Sequence, residues 1–133
     1  MENSFLAHLG GAFIYSENPE PLVGWYAKML GINWESVPDG SAWYISLSYN
    51  DIHSGKKAYA GLSIIRSKKK IVRSEGKHFM INYRIKDLEK LVAHLHSNNV
   101  EVKGIDDYPE GKFAWCKDPE GNELELWEDT TLN

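Results

Sequence analysis

Residues 112–127 read KFAWCKDPEGNELELW. The letters DPEG at 118–121 are typical of a tight turn, and apolar side chains alternate with polar or aromatic ones on both sides of it. The stretch therefore predicts two strands, Lys112–Lys117 and Glu123–Trp127, joined by this turn. The remaining elements can be placed by working outward from this pair.

The residues before this pair complete a module of the order β-α-β-β-β. Residues 78–85 alternate like a strand, and Asp87 is placed to cap a helix. The apolar face of that helix consists of Leu88, Leu91, Val92 and Leu95, and the helix is predicted to end near Asn98 and Asn99. A strand at Val100–Lys103 then leads to the two closing strands.

The first half of the chain repeats this order with different residues. A strand at Phe13–Ser16 precedes a helix over Pro21–Leu30, with Gly31 at a left-handed helix stop. Three further strands are predicted at residues 33–37, 41–48 and 59–66. We therefore predict one α+β domain over residues 1–133 that arose by duplication. Module one covers about 8–66, a basic linker about 67–77, and module two about 78–128.

Composition excludes several classes of protein. The 133 residues are 42% hydrophobic and 26% charged, which is typical of a soluble globular chain. No apolar run approaches the roughly 20 residues that span a bilayer, so we expect no membrane partner. A net charge of −4 argues against a nucleic-acid partner. The start of the chain does not read as a secretory signal, and the single Cys116 cannot form an internal disulfide, so we expect a cytoplasmic protein.

Two stretches resemble the vicinal oxygen chelate superfamily, which includes glyoxalase I, bleomycin-resistance proteins and extradiol dioxygenases. LVGWYAKMLG at 22–31 is similar to the first helix of that family, and FAWCKDPEGNELELW at 113–127 is similar to its closing hairpin. The resemblance implies two βαβββ modules forming a cupped, mainly antiparallel sheet around a cleft, in a homodimer. The chain is most similar to bacterial glyoxalase-like proteins that lack most metal ligands.

The resemblance also implies four metal-ligand positions, one on the first and one on the last strand of each module. They fall on Gly11, Gly61, Met80 and Glu125. Glycine has no side chain to donate, and a methionine thioether suits soft metals. One carboxylate cannot hold a divalent ion that needs four to six donors. We therefore expect no metal and no other cofactor. The alternative is a divalent metal held by His78 and Glu125.

Side chains two apart on a strand point to the same face, so the neighbours of these positions are expected to line the cleft. The intervening positions, such as Ile14, Leu62 and Leu124, are apolar, as expected of a face packed on helices. The predicted ligand-binding residues are Phe13, Tyr15, Tyr59, Ser63, His78, Met80, Asn82, Arg84, Glu123 and Trp127. Arg84 and Glu125 are expected on neighbouring strands, where they can form an ion pair.

These residues favour a protein that binds a small molecule, partly aromatic or cationic, in a metal-free cleft. The alternative is an enzyme, namely a glyoxalase-like lyase or isomerase or a dioxygenase. Its catalytic residues would be Glu125 and Arg84. The enzyme would use either a divalent metal or Glu125 as general base, with Arg84 stabilising an oxyanion. In a third hypothesis, the many aromatic residues serve only the assembly of subunits.

Overall fold

The computed structural model describes residues 5–72 and 79–132. The first half contains β1 (Gly11–Ser16), α1 (Pro19–Leu30), β2 (Glu35–Ser36), β3 (Ala42–Asn50) and β4 (Lys57–Arg66). The second half contains β5 (Ile81–Arg84), α2 (Leu88–Ser97), β6 (Lys103–Tyr108), β7 (Gly111–Lys117) and β8 (Glu123–Glu128), followed by a short 3-10 helix (Thr130–Leu132). The predicted α+β class and the repeated β-α-β-β-β order are both confirmed.

The chain divides into two compact units. The first takes its described residues from 1–23 and 33–71, and the second takes them from 24–32 and 72–133. The boundary passes through α1, so that Val23 belongs to the first unit and Gly24 to the second. Among the described residues, no helix has both the length and the apolar character needed to cross a membrane.

The first unit is built on a four-stranded sheet of order β1-β4-β3-β2. β1 runs parallel to β4, and the other two pairs are antiparallel. One face of this sheet is buried, with Ile14 on β1 and Leu62 and Ile64 on β4, and Leu22 of α1 is buried as well. Burying each such side chain contributes about 1.5–3 kcal/mol. The opposite face carries the exposed side chains.

The second unit repeats this arrangement in a sheet of order β5-β8-β7-β6. β5 is parallel to β8, and the remaining pairs are antiparallel. Its buried apolar side chains come from both helices and from one face of the sheet: Tyr26 and Met29 on α1, Leu88, Val92 and Leu95 on α2, and Ala114, Cys116, Leu124 and Leu126 on the strands. Both sheets are therefore mainly antiparallel, as predicted.

The ends of the helices follow the predicted signals. The Asp87 carboxylate accepts a hydrogen bond from Lys90 N at 3.1 Å and caps α2. Glu128 Oε1 on β8 also accepts from Leu88 N at 2.7 Å, which fixes the start of this helix to the sheet. Gly31 has a φ of 68°, the left-handed conformation expected after α1.

The predicted bounds of several strands are wrong. Residues 100–102 follow α2 and are not part of a strand. Val100 N instead donates to Leu95 O at 2.9 Å, which closes the C-terminal end of that helix. The strand that follows, β6, runs to Tyr108 through glycine and two aspartates, which are typical of turns and therefore concealed it. β2 has only two residues, and β5 begins at Ile81. The part of the predicted fifth strand at residue 78 lies outside the described residues.

Candidate functional site

Four of the predicted ligand-binding residues share one face of the second sheet with Glu125. Asn82 on β5 lies directly opposite Glu125 on β8, and Arg84 lies opposite Trp127. Glu123 precedes Glu125 by two positions and so faces the same way. The intervening Leu124 and Leu126 are buried on the other face. Met80 lies just before β5 and is partly exposed, and His78 lies outside the described residues.

Glu125 is held by two N–H donors. Asn82 Nδ2 donates to Oε2 at 2.9 Å, and the indole Nε1 of Trp115 donates to Oε1 at 3.2 Å. Trp115 lies opposite Glu125 on β7, so the three side chains come from three adjacent strands of the sheet. The carboxylate is therefore oriented on the half-buried face, with lone pairs left to accept from a ligand.

The expected ion pair between Arg84 and Glu125 is not formed within the described residues. Their strands are neighbours, as predicted, but the register places Asn82 opposite Glu125, and Asn82 takes the contact. The charge of Arg84 acts elsewhere. The pKa of the Asp129 carboxyl is lowered, mainly by the hydrogen bond from Thr131 and to a smaller extent by the charge of Arg84. Arg84 thus makes no ion pair with Glu125 in the described part of the chain.

A row of aromatic rings continues this face of the sheet. Phe113 lies between Trp115, at 6.3 Å between ring centroids, and Trp127, at 6.2 Å, with 15° between the ring planes in both pairs. Tyr108 meets Phe113 edge-on at 5.7 Å. Trp127 Nε1 donates to Glu110 O at 2.9 Å, which fixes the end of the row to the β6–β7 turn. We call Phe113, Trp115 and Trp127 the aromatic row.

Sequence reasoning assigned Trp127 to the site but missed Phe113 and Trp115. It considered only the first and last strands of each module, where the resemblance implies ligand positions. The signal that could have found them is the alternation on β7, where Ala114 and Cys116 are buried and the residues between them face the other way.

The first sheet carries the other predicted residues on its exposed face. Phe13 lies opposite Ser63, and Tyr59 is two positions before Gly61 on the same strand. Phe13, Tyr15 and Tyr59 are all more than half exposed. Tyr44 on β3 lies opposite Ser63 and joins this face, although it was not predicted. The four predicted residues of module one are thus brought together on a single surface.

The residues at the four positions implied by the family do not suit a divalent metal. Gly11 and Gly61 lie directly opposite each other and offer no side-chain donor. The pairing of β5 with β8 places Asn82, and not Met80, opposite Glu125. The amide N–H of Asn82 already donates to the Glu125 carboxylate. No group of three or more His, Cys, Asp and Glu side chains within residues 5–72 and 79–132 could hold a metal ion.

Asp118 in the β7–β8 turn is a structural carboxylate. It is 4% exposed, and both of its oxygens accept hydrogen bonds. Oδ2 accepts from the Tyr26 hydroxyl at 2.8 Å and from Asn122 Nδ2 at 2.7 Å, while Oδ1 accepts from Glu120 N and Asn122 N. Burial raises the pKa of Tyr26 well above its ordinary value, so this hydroxyl remains a donor. Burial likewise raises the pKa of the Cys116 thiol to about 11, which disfavours a nucleophilic role.

The chain belongs to the Glyoxalase/Bleomycin resistance protein/Dioxygenase superfamily, whose family model matches residues 6–126. The resemblance found in the sequence is therefore confirmed. No match is found among curated proteins. Membership in this superfamily supplies the fold but no single chemistry, because its name joins lyase, binding and oxygenase branches.

Solved structures of the same fold include proteins of all these kinds. TnmS3, an antibiotic binding protein from Streptomyces sp. CB03234, is 18% identical with a TM-score of 0.66, covering 96% of this chain and 100% of its own. Lactoylglutathione lyase from Agrobacterium tumefaciens is 12% identical with a TM-score of 0.64, covering 94% and 96%. Oxidase ChaP-H1 is 11% identical with a TM-score of 0.69, covering 96% and 100%. At these identities the likeness establishes the fold alone.

Proposed function

We propose that this protein binds a small, partly aromatic and cationic molecule without using a metal ion or another cofactor. The observation that carries the proposal is the Glu125 carboxylate, oriented by Asn82 and Trp115 at the end of the aromatic row. Aromatic faces beside a carboxylate attract a positively charged group through both the ring quadrupole and the negative charge. The antibiotic-binding relative of the same fold supports a binding role.

The enzyme alternatives have less support. Both oxygens of Glu125 already accept from protein N–H groups, which restrains this carboxylate as a general base. Arg84 lies opposite Trp127 and is not paired with Glu125, so an oxyanion formed at Glu125 lacks the expected partner. The donor set described above does not complete a metal site. We further propose a cytoplasmic location, which the single cysteine supports because disulfides are rare in a reducing compartment.

The test uses proflavine, a flat tricyclic cation at neutral pH, and measures its affinity by isothermal titration calorimetry after the protein has been treated with a chelator. Glu125→Gln keeps the shape of the side chain but removes its charge, and should weaken binding roughly tenfold or more. Glu35→Gln, an exposed charge on β2, is the matched control and should leave the affinity unchanged.

Two further probes separate the contributions of ring and charge. Tetramethylammonium has the charge without the ring, and anilinonaphthalene sulfonate has the ring with the opposite charge. We expect both to bind more weakly than proflavine. Equal affinity of wild type and Glu125→Gln for proflavine would contradict the proposal, as would binding that disappears on chelation and returns with a divalent metal.

A further inference from the structure

A cavity of about 820 Å³ opens in the second unit beside the aromatic row. Its apolar and aromatic lining comes chiefly from Trp25, Met80, Val100, Val102, Trp115 and Pro119. This volume is within the range of about 300–1,000 Å³ typical of small-molecule sites, and a mainly apolar wall with a few polar groups is their usual lining. Of all the residues that line the cavity, sequence reasoning assigned Met80 and Glu123 to the site.

Trp115 connects this cavity to Glu125. Its indole N–H donates to Glu125, which fixes the ring while leaving its faces available for stacking. On one side lies Phe113, with 6.3 Å between the ring centroids. Two rings need about 7 Å between them to admit a third, so no ligand ring fits there. Lys117 follows Trp115 by two positions on this face and lines the cavity, whereas Phe113 does not. The cavity therefore lies on the side of Trp115 that faces away from Phe113.

The second aromatic wall, Trp25 on α1, is held in place by its neighbours along the helix. Trp25 packs edge-on against Tyr26, with 5.0 Å between centroids, and the Tyr26 hydroxyl donates to the buried Asp118 at 2.8 Å. One turn further on, Lys28 O lies 2.9 Å from His94 Nε2 of α2, a hydrogen bond between the two helices. The wall is therefore formed before any ligand arrives, which reduces the ordering cost of binding.

The charges of the lining nearly balance, so the cavity selects its ligand by shape and apolar contact more than by charge. The carboxylate of Asp118 is fully hydrogen-bonded inside its own turn. The remaining charged lining residues carry two of each sign, namely Glu101, Glu123, Lys103 and Lys117. With Asp118 counted, the wall carries one net negative charge, which is hydrogen-bonded within its own turn, so the wall attracts a cation less than Glu125 beside the aromatic row does.

We propose that the cavity walled by Trp25 and Trp115 holds the flat ring system of the ligand, while the cationic group of the same ligand is bound at Glu125. This inference rests on the proposed function and specifies the ligand as a flat aromatic ring system with positive charge at its edge, as in proflavine, whose charge is shared with the amino groups at both ends of the ring system. Trp25, which lies outside the family's ligand positions, becomes a determinant of specificity for the ring.

The test follows the indole N–H signals of the five tryptophans in ¹⁵N-labelled protein by NMR during titration with proflavine. Single Trp→Phe variants assign the signals. The Trp25 and Trp115 signals should shift together, while that of Trp43, whose ring in the first unit lies 5.7 Å from the Arg66 guanidinium, should remain in place. Trp25→Leu should weaken proflavine binding about three- to tenfold, and Trp43→Leu should not change it.

The outcomes distinguish the two proposals. If proflavine binds and Glu125→Gln weakens it, but the Trp25 signal stays fixed in wild type, the ring does not enter the cavity and this inference is overturned alone. If wild type does not bind proflavine at all, both proposals fail. The wild-type spectrum decides the question even if Trp25→Leu does not fold.

Discussion

At the scale of single residues, the Asn82 amide makes the Glu125 carboxylate less suited to binding a metal ion. Glu125 stands at the one family ligand position that keeps a metal-binding side chain, yet it faces Asn82, whose N–H donates to it at 2.9 Å. A histidine or carboxylate at position 82 would present an acceptor or a second charge toward a shared ion. An amide donor instead occupies one lone pair and leaves the charge for a ligand. In the proposed function, the aromatic row then determines which cations are bound well.

Cys116 allows a residue-scale prediction about pH. Burial raises its pKa from 9.0 to about 11. At pH 8 the fraction of Cys116 that is thiolate is therefore roughly 100-fold smaller in the folded protein than in the unfolded chain. The folded protein should therefore react with Ellman's reagent at least about 100-fold more slowly at pH 8 than the same protein in urea.

The raised pKa of Cys116 also makes the stability of the fold depend on pH. The raised pKa stabilises the fold below pH 9, and this contribution is lost as the pH rises through about 11. Cys116→Ser, which has no titrating thiol, should lose less stability over this range than wild type. Equal rates of labelling for folded and urea-unfolded protein would show that the thiol is not buried as described.

At the scale of elements, a buried hydrogen bond from Tyr26 to Asp118 joins α1 to the β7–β8 turn. Tyr26→Phe removes the donor and leaves Oδ2 of a buried carboxylate with one partner fewer. The free energy of unfolding in urea should fall by about 1.5–3 kcal/mol, as for hydrogen bonds to charged groups. Tyr59→Phe removes an exposed hydroxyl and should change it by about 0.5 kcal/mol or less. Similar losses in both variants would contradict this role for Asp118.

The elements also show what the sequence could predict and where it failed. The helices and the β7–β8 hairpin were predictable because period, caps and turn residues are local signals. β6 was not, since Gly104, Asp106 and Asp107 are poor strand formers that lie in the sheet only because β7 pairs with them. The partners of Glu125 were missed for a similar reason. Which side chain faces it depends on register between strands that are distant in sequence.

At the scale of the whole molecule, a duplicated module gives two exposed sheet faces with different chemistry. The first carries Phe13, Tyr15 and Tyr59 around paired glycines and has no carboxylate among its predicted site residues. The second carries Glu125 and the aromatic row. The repeated order of elements thus presents different side chains on the two faces. This is consistent with a family in which binding proteins, lyases and oxidases share one fold.

We propose that the segment before β1 contributes to the interface of a homodimer. The His8 ring stacks on Tyr49 at 3.9 Å between centroids, and Gly61 N donates to Gly10 O at 2.9 Å, so the segment is held against its own sheet. Even so, Phe5 and Leu9 are exposed in the chain as described. Apolar side chains held at a surface in this way are typical of an interface with another chain.

We therefore expect wild type to sediment at twice the monomer mass at micromolar concentration. The double variant Phe5→Asp with Leu9→Asp should sediment as a monomer, because each aspartate would be desolvated in the interface. Ile52→Asp, an equally apolar and exposed position in the β3–β4 turn, is the control and should remain a dimer. A wild-type monomer would exclude the interface, along with the hypothesis that the aromatic residues serve only assembly. A monomeric double variant that still binds proflavine would show that assembly and ligand binding use different surfaces of the molecule.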